Sequence, residues 1–288
     1  MTVPASSPLP TLAVTGSTGA LGGLVARHLA DEEVPLRLLA RSPERAPALP
    51  GAHAVRAAYG DRDAALLALD GVQTLFMVSA SESADRLAQH RAFVDAAVDA
   101  GVEHIVYTSF FGASPECTFM LGRDHWATEE HIRSRGTAFT FLRDNFYLDV
   151  LPLFAGEDGV IRGPAGDGRV AAVARADVAR VAAAVLLDPA GHRGSTYDLT
   201  GPEALTMTEV AATVAEVTGT AVSFHDESIE EAYASRLRWP AEQWQYDAWV
   251  STYTAIAAGE VAEVSDDVLR LTGRVPLTLR QLLEGPEA

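Results

Sequence analysis

Lysine is absent from this sequence, and all 22 basic residues are arginine. A GC-rich coding bias accounts for such a composition. Whatever its origin, the absence excludes every mechanism that needs a lysine side chain. Cysteine is nearly absent too. The single Cys117 rules out a disulfide framework and fits a reducing cytoplasm. Positive charge is scarce: the formal net charge is −17 and no run of arginines stands out, so nucleic acid is excluded as a partner. No stretch reaches the roughly 18 uninterrupted apolar residues of a membrane span, so no membrane partner is expected. Residues 1–10 hold prolines and serines without positive charge or an apolar stretch, which reads as a flexible leader and not a signal peptide.

Common hydrolytic and metal signatures are missing as well. The eight histidines show no His-Glu-x-x-His or comparable spacing, so no metal site is expected. His125 and His131 fall on different faces of one helix. There is no Gly-x-Ser-x-Gly elbow. Cys117, in Pro115-Glu116-Cys117-Thr118, reads as structural and not nucleophilic.

What is present begins with a sizeable apolar fraction. Forty-eight per cent of the 288 residues are hydrophobic, enough for one large domain, or one domain with a smaller lobe, and against disorder. The most informative stretch follows an apolar run, Leu12-Ala13-Val14-Thr15, with Gly16, Ser17, Thr18, Gly19, Ala20, Leu21 and Gly22. A helix pattern comes next. Strand, glycine-spaced turn and helix start form the first third of a dinucleotide-binding unit. Gly16 allows the sharp turn, Gly19 lets backbone approach a pyrophosphate, and Gly22 lets the helix pack on the strand.

Apolar runs near 11–15, 35–40, 52–56, 72–78, 103–108 and 138–143 read as strands, with helices near 20–31, 61–69, 84–100 and 121–135 between them. This alternation predicts an α/β fold: a Rossmann-type, doubly wound parallel sheet with a smaller, mainly helical C-terminal lobe. Ser42-Pro43 reads as a helix cap and first position, and Gly71 and Gly101 as helix stops. Later, Asp177 is expected to cap a helix over 178–187, before a short strand near 195–199. Thr206-Met207-Thr208-Glu209 is a capping box for a helix to about 218. A strand near 221–225 and helices in 227–237, 241–258, 265–272 and 278–284 follow. The expected division is a leader over 1–10, a nucleotide-binding domain over 11–150 with return segments near 170–200, and a substrate lobe over 151–288. Ligands in such folds bind beyond the carboxyl ends of the strands, which puts them between the two parts.

The second strand ends in Ala40-Arg41, without the carboxylate that holds the ribose of NAD. Arg41 suits the 2′-phosphate of NADP, with Arg45 one turn on; the bland alternative is a solvated loop arginine. Asp61 is placed to accept from the adenine amino group, to cap the next helix, or both. Ser79, Ser81 and Glu82 follow the fourth strand and face the cofactor by position, although Ser81 or Ser83 also suits a helix cap.

Thr15-Gly16-Ser17-Thr18-Gly19-Ala20-Leu21-Gly22, Ala58-Tyr59-Gly60-Asp61, Gln89-His90-Arg91, Tyr107-Thr108-Ser109 and Leu142-Arg143 resemble the atypical short-chain dehydrogenase group. Within it the chain resembles the NmrA-like branch, most of all bacterial NADPH quinone oxidoreductases. Gly-Pro-Ala-Gly-Asp-Gly-Arg at 163–169, Arg175-Ala176-Asp177 and Leu271-Thr272-Gly273-Arg274-Val275-Pro276 fit the same pattern. The resemblance implies an NADP(H) cofactor. It puts Gly16, Thr18, Gly19, Leu21 and Gly22 on the pyrophosphate and Arg41 on the 2′-phosphate. Residues around Ser79, Thr108 and Ser109, and then Arg143 to Tyr147, Asn145 among them, would line the nicotinamide.

Ordinary short-chain dehydrogenases pair tyrosine with lysine four residues later, and that dyad cannot exist here. Relatives place a lysine at the start of the helix before the sixth strand, where this chain has His125. The histidine either donates a proton to a carbonyl or quinone oxygen or is a packed helix residue. Glu129, one turn on, either orients it or pairs with Arg133. Quinone or conjugated-carbonyl reduction needs less proton assistance than reduction of an isolated ketone. Phe111, Phe146, Tyr147 and Trp244 are candidate flat walls for such a substrate, with Phe110, Trp239 and Trp249 also available. Two functions are therefore expected to compete. One is an NADPH-dependent oxidoreductase acting on a small quinone or carbonyl; the other is a non-catalytic NADP(H)-binding redox sensor. Whether the protein is a monomer or a homodimer stays open.

Overall fold

The computed structural model describes residues 9–285, so residues 1–8 of the expected leader lie outside the described residues. Strands β1 (Leu12–Thr15), β2 (Leu36–Ala40), β3 (Ala52–Arg56), β4 (Thr74–Met77), β5 (His104–Phe110) and β6 (Ala138–Asp144) come first. Helices α1 (Ala20–Asp31), α2 (Arg62–Leu69), α3 (Arg86–Asp99) and α4 (Met120–Ser134) lie between them. Then follow β7 (Val160–Gly163), β8 (Arg169–Val170), α5 (Arg175–Leu187), β9 (Ser195–Leu199), β10 (Leu205–Thr206), α6 (Met207–Thr218) and β11 (Ser223–Asp226). Helices α7 (Ile229–Arg236), α8 (Gln243–Ala257), α9 (Asp267–Thr272) and α10 (Leu279–Glu284) end the described chain.

Seven strands form one sheet in the order β3-β2-β1-β4-β5-β6-β9, a doubly wound Rossmann arrangement. The pairs from β3 to β5 are parallel. Hydrogen bonds from Ala138 to Glu103 and from Phe111 to Asp144 give β6 the same direction as β5. Bonds from Gly194 to Phe139 and from Asn145 to Leu199 extend it to β9. Strands β1, β2 and β5 are buried at every residue, which is why their sequences are mainly apolar and show no period of two, with Arg37 in β2 and His104, Thr108 and Ser109 in β5 as buried exceptions. At the edge, β3 has only exposed and half-buried positions.

The chain forms two compact units. The first runs through Tyr107 and adds Glu130–Thr140 and Ala182–Ser195; the second comprises Thr108–Glu129, Phe141–Val181 and the chain from Thr196 on. In the first unit, Arg37 is a charge inside fully buried β2. Its guanidinium donates to the carbonyls of Ala68 at 2.8 Å and Asp70 at 2.7 Å, satisfying the carboxyl end of α2. In the second unit, Phe110, Phe119, Leu148, Ile161, Val210 and Ile256 belong to one apolar cluster. Two small sheets border it: β11 parallel to β7, and β10 antiparallel to β8.

The alternation read from the first half matches the observed elements closely. The structure differs from this reading in three respects, two of them in the later half. Strands β7, β8 and β10 form where none was expected, because each is four residues or fewer and satisfied by pairing with a distant partner. Helix α5 begins at Arg175, so Asp177 lies in its first turn and does not cap it. The fully buried Asp177 carboxylate instead accepts from Leu277 N at 2.8 Å and pairs with Arg180. Ser42-Pro43 opens only a short 3₁₀ turn, Pro43–Arg45. Among the described residues no helix is long and apolar enough to cross a membrane.

The Thr206–Glu209 capping box is present in both directions at the start of α6. Thr206→Ala is expected to lower unfolding stability by about 1 kcal/mol in urea denaturation. An unchanged midpoint would show that the box contributes nothing to this helix.

Candidate functional site

In the first unit the chain leaves β1 and turns at Gly16, whose φ of +64° lies in the left-handed region. A Cβ on Gly22 would stand 2.4 Å from the Gly16 carbonyl oxygen and 2.6 Å from that of Thr15. Only glycine lets α1 sit this close to the loop. Gly19 differs: a Cβ there would approach Gly16 O at 3.3 Å, a tight contact without collision, and would narrow the cleft that Gly19 lines. The helix start has no side-chain cap and no acidic residue in its first turn. Its backbone N–H groups and dipole are thus available to an anion. The Ser17 hydroxyl is buried under the loop without a protein partner.

These residues open onto a cleft of about 420 Å³. Gly16, Thr18, Gly19, Ala20, Leu21, Gly22, Arg41, Ser79 and Ser81, all expected at a dinucleotide, line it together with Glu82. Arg41 is exposed and pairs with no carboxylate among the described residues. Ala40 before it is small and buried. Asp61 accepts from Ala64 N at 3.1 Å and caps α2, the structural half of its two expected roles. The cradle, the uncapped helix start and Arg41 without an acid fit a dinucleotide carrying a 2′-phosphate.

The cleft's supporting residues were not legible as such. Tyr59 bonds Thr15 Oγ1 at 2.7 Å and donates to the Val78 carbonyl, while Val78 N donates back to Thr15 Oγ1 at 2.8 Å. The ends of β1 and β4 are thereby tied together. Beyond β4, Ala80 is held from both sides: its N–H donates to His90 Nε2 at 2.8 Å, and its carbonyl accepts from Arg86 Nε at 3.0 Å. Burial, with Arg86 nearby, lowers the His90 pKa to about 3 and keeps the ring neutral, as an acceptor must be. Tyr59 and His90 stand inside Ala58-Tyr59-Gly60-Asp61 and Gln89-His90-Arg91, whose polar neighbours gave no local sign of these roles.

The remaining candidates belong to the second unit. Glu129, fully buried, accepts from Ser109 Oγ at 2.6 Å and forms a two-point pair with Arg143, at 2.9 and 2.8 Å. The pairing with Arg143 is a partner that helical spacing did not offer; Arg133, one of the expected partners, also reaches Glu130. Thr108 is buried beside Ser109 on β5. The Asn145 side chain donates to Val261 O at 3.0 Å and accepts from Phe146 N at 2.7 Å. His125 is 7% exposed, with its ring 6.2 Å from that of Phe110, beside a trio formed by Phe110, Phe119 and Phe146. Phe111 is buried in the same apolar cluster. Tyr147 donates to Asp144 Oδ2 at 2.8 Å and has Arg175 over its ring. Trp244 donates to Glu242 at 3.0 Å.

The glycine loop, the sheet order and the cleft together define a Rossmann-type dinucleotide-binding protein. The sequence profile of the NmrA-like family matches residues 9–245, and the chain belongs to that family. It is 37% identical over 234 residues to quinone oxidoreductase 2 of Escherichia coli (strain K12), covering 79% of this chain and 81% of that protein. It is 31% identical over 281 residues to the NAD(P)H azoreductase of Xenophilus azovorans, covering 96% and 97%. The solved structure of Citrobacter sp. triphenylmethane reductase complexed with NADP(H) matches with a TM-score of 0.82 at 33% identity, over 94% of this chain and 98% of that one.

Two outcomes test this geometry. Arg41→Ala is expected to weaken NADPH binding about tenfold, one charge-assisted contact, and leave NADH binding unchanged by calorimetry. Equal effects on both would remove Arg41 from cofactor choice. The second concerns Asp144, whose burial raises its carboxyl to about 8 and leaves Oδ1 without a partner. An unfolded Asp releases its proton near the ordinary value, so between about pH 4 and 8 the folded state holds the extra proton. Stability must then fall as pH rises through that window, by up to about 1.4 kcal/mol per unit. Asp144→Asn is expected to flatten this decline in thermal melts; an unchanged profile would show that Asp144 ionises normally.

Proposed function

We propose that this chain is an NADPH-dependent reductase of quinones or similarly conjugated acceptors. The observation that carries the reading is the first unit's cleft, where the glycine cradle and Arg41 converge. The relatives support it by their shared chemistry: a quinone oxidoreductase, an azoreductase and a triphenylmethane reductase all bear names of conjugated electron acceptors. NADPH supplies a hydride when bound, and the acceptor takes up that hydride and a proton. The chain's own part is positioning and proton supply. With no lysine in the sequence, reduction proceeds without the tyrosine–lysine dyad.

His125 is the proposed proton donor. Histidine is the side-chain type suited to proton transfer near neutral pH, and His125 stands on α4 beside the Phe110 ring. The Ser109–Glu129–Arg143 set serves this reading as a fixed scaffold, holding the carboxyl ends of β5 and β6 to α4.

The test follows NADPH absorbance with a panel of quinones, alongside thermal stability with NADPH and with NADH. Turnover of at least one quinone, and greater stabilisation by NADPH than by NADH, are expected. Stabilisation without any turnover would favour the non-catalytic sensor instead. His125→Ala is expected to lower kcat about a hundredfold, the low end for general-acid loss. Unchanged kcat would remove its role.

A further inference from the structure

We propose that the second unit carries a binding site for a neutral, planar aromatic compound bearing a carbonyl or ether oxygen, with the Tyr253 hydroxyl as its hydrogen-bond donor. This goes beyond the reductase reading and does not rest on it. The site is a pocket of about 420 Å³ whose walls include Phe154, Trp239, Trp249 and Tyr253. That volume falls within the roughly 300–1,000 Å³ of small-molecule pockets, and flat rings suit such walls.

Tyr253, on α8, is only 6% exposed. A tyrosine buried this deeply ordinarily gives its hydroxyl a partner. Here the hydroxyl makes no hydrogen bond among the described residues, yet it is not sealed off, and the pocket it lines is its outlet. The ring is held in place. A Cβ on Gly163 would stand 2.3 Å from Tyr253 Cδ1, the Arg236 guanidinium carbon lies 5.2 Å from the ring centre, and the Phe154 ring lies 5.7 Å away. Burial raises the Tyr253 pKa above the ordinary tyrosine value, so the phenol keeps its proton. A donor is thus fixed with nothing to donate to. The Trp249 indole N–H, in the same wall, also lacks a hydrogen bond among the described residues.

Charge selects a neutral ligand. Of the three arginines at the pocket, Arg162 gives both Nη groups to the Asp158 carboxylate, at 3.0 and 2.6 Å, and Arg236 pairs with buried Glu227 at 3.0 Å. Arg238 is exposed, its guanidinium carbon 4.0 Å from the centre of the Trp239 ring, and solvent screens its charge. Asp158 Oδ1 would lie 2.9 Å from a Cβ on Gly156, in the pocket wall, and repels an entering acid. The other hydroxyls do not answer Tyr253. Ser235 donates to the Ala232 carbonyl and accepts from Arg236, and Thr252 donates to the Ala248 carbonyl. The acceptor must therefore come with the ligand, on a ring system that fits among the aromatic walls.

Equilibrium dialysis of the full chain without NADPH tests this, with coumarin as the acceptor-bearing probe and naphthalene as the hydrocarbon of similar shape. Coumarin is expected to bind saturably with one-to-one stoichiometry, and coumarin-3-carboxylate no more tightly. Tyr253→Phe should weaken coumarin about tenfold, the equivalent of one buried hydrogen bond, and leave naphthalene unchanged. Trp249→Leu should weaken both, with melting curves confirming that each variant folds. Absence of saturable coumarin binding would overturn the proposal, as would a Tyr253→Phe variant that changes both ligands alike or neither. Tighter binding of the acid would overturn the neutral class. So would displacement by NADPH, which would put the ligand in the first unit's cleft. A dimer abolished by Trp239→Ala in sedimentation would assign the surface to a second copy and overturn it too.

Discussion

Helix α1 rests directly on the backbone it springs from, and the cofactor cleft depends on that contact. At Gly22 the carbonyl oxygens of Gly16 and Thr15 occupy the space a side chain would need. Moving the helix away by even one methyl group's width would shift its first N–H groups and change the turn at Gly16. The turn is already confined to the left-handed region by its φ. Overpacking at such a point displaces backbone, because no flexible side-chain end is available to yield. Direction of the strand, position of the turn and aim of the helix dipole are thus one constraint.

A second constraint surrounds the first. The cleft's floor is polar and buried, a setting that destabilises unless each group is matched. Thr15, Tyr59 and Val78 satisfy one another where β1 and β4 end, and His90 and Arg86 satisfy both polar groups of the Ala80 peptide. The same burial that holds His90 neutral makes it a dependable acceptor. Protonating it would turn that acceptor into a donor facing the Ala80 N–H. The segment Ala80–Ser83 along the cleft therefore owes its position to a histidine that never contacts the dinucleotide's phosphates in this reading.

How much of this was legible follows from where the information sits. Strands β1, β2 and β5 are buried on both faces, and their mainly apolar sequences announced them. The capping box of α6 is local, four residues long, and formed as read. The glycine spacing gave the turn and the close approach, because both are properties of the backbone alone. Nonlocal pairings were not readable. Glu129 faces Arg143, fourteen residues on in another element, and helical spacing offered only His125 and Arg133. Asp177 was read as a cap for its neighbours but accepts from Leu277, a hundred residues away. Strand β7 is short and mixed in polarity, and only its pairing with β11, which was expected near 221–225, makes it a strand.

The absence of lysine bears on the chemistry in a way that arginine abundance does not offset. An arginine at Arg143 keeps its charge at any physiological pH, and hydrogen bonding to Glu129 raises its pKa further. It can orient and neutralise, but it cannot hand over a proton. Any proton delivered by this chain must come from a group that titrates nearer neutrality. Acceptors whose reduced form is stabilised by conjugation ask the least of such a donor. Their reduction rests mainly on holding two flat partners in register, and positioning of that kind contributes several kcal/mol without any acid at all. A lysine-free chain with a well-formed cofactor cradle is therefore suited to conjugated acceptors by what it lacks as much as by what it holds.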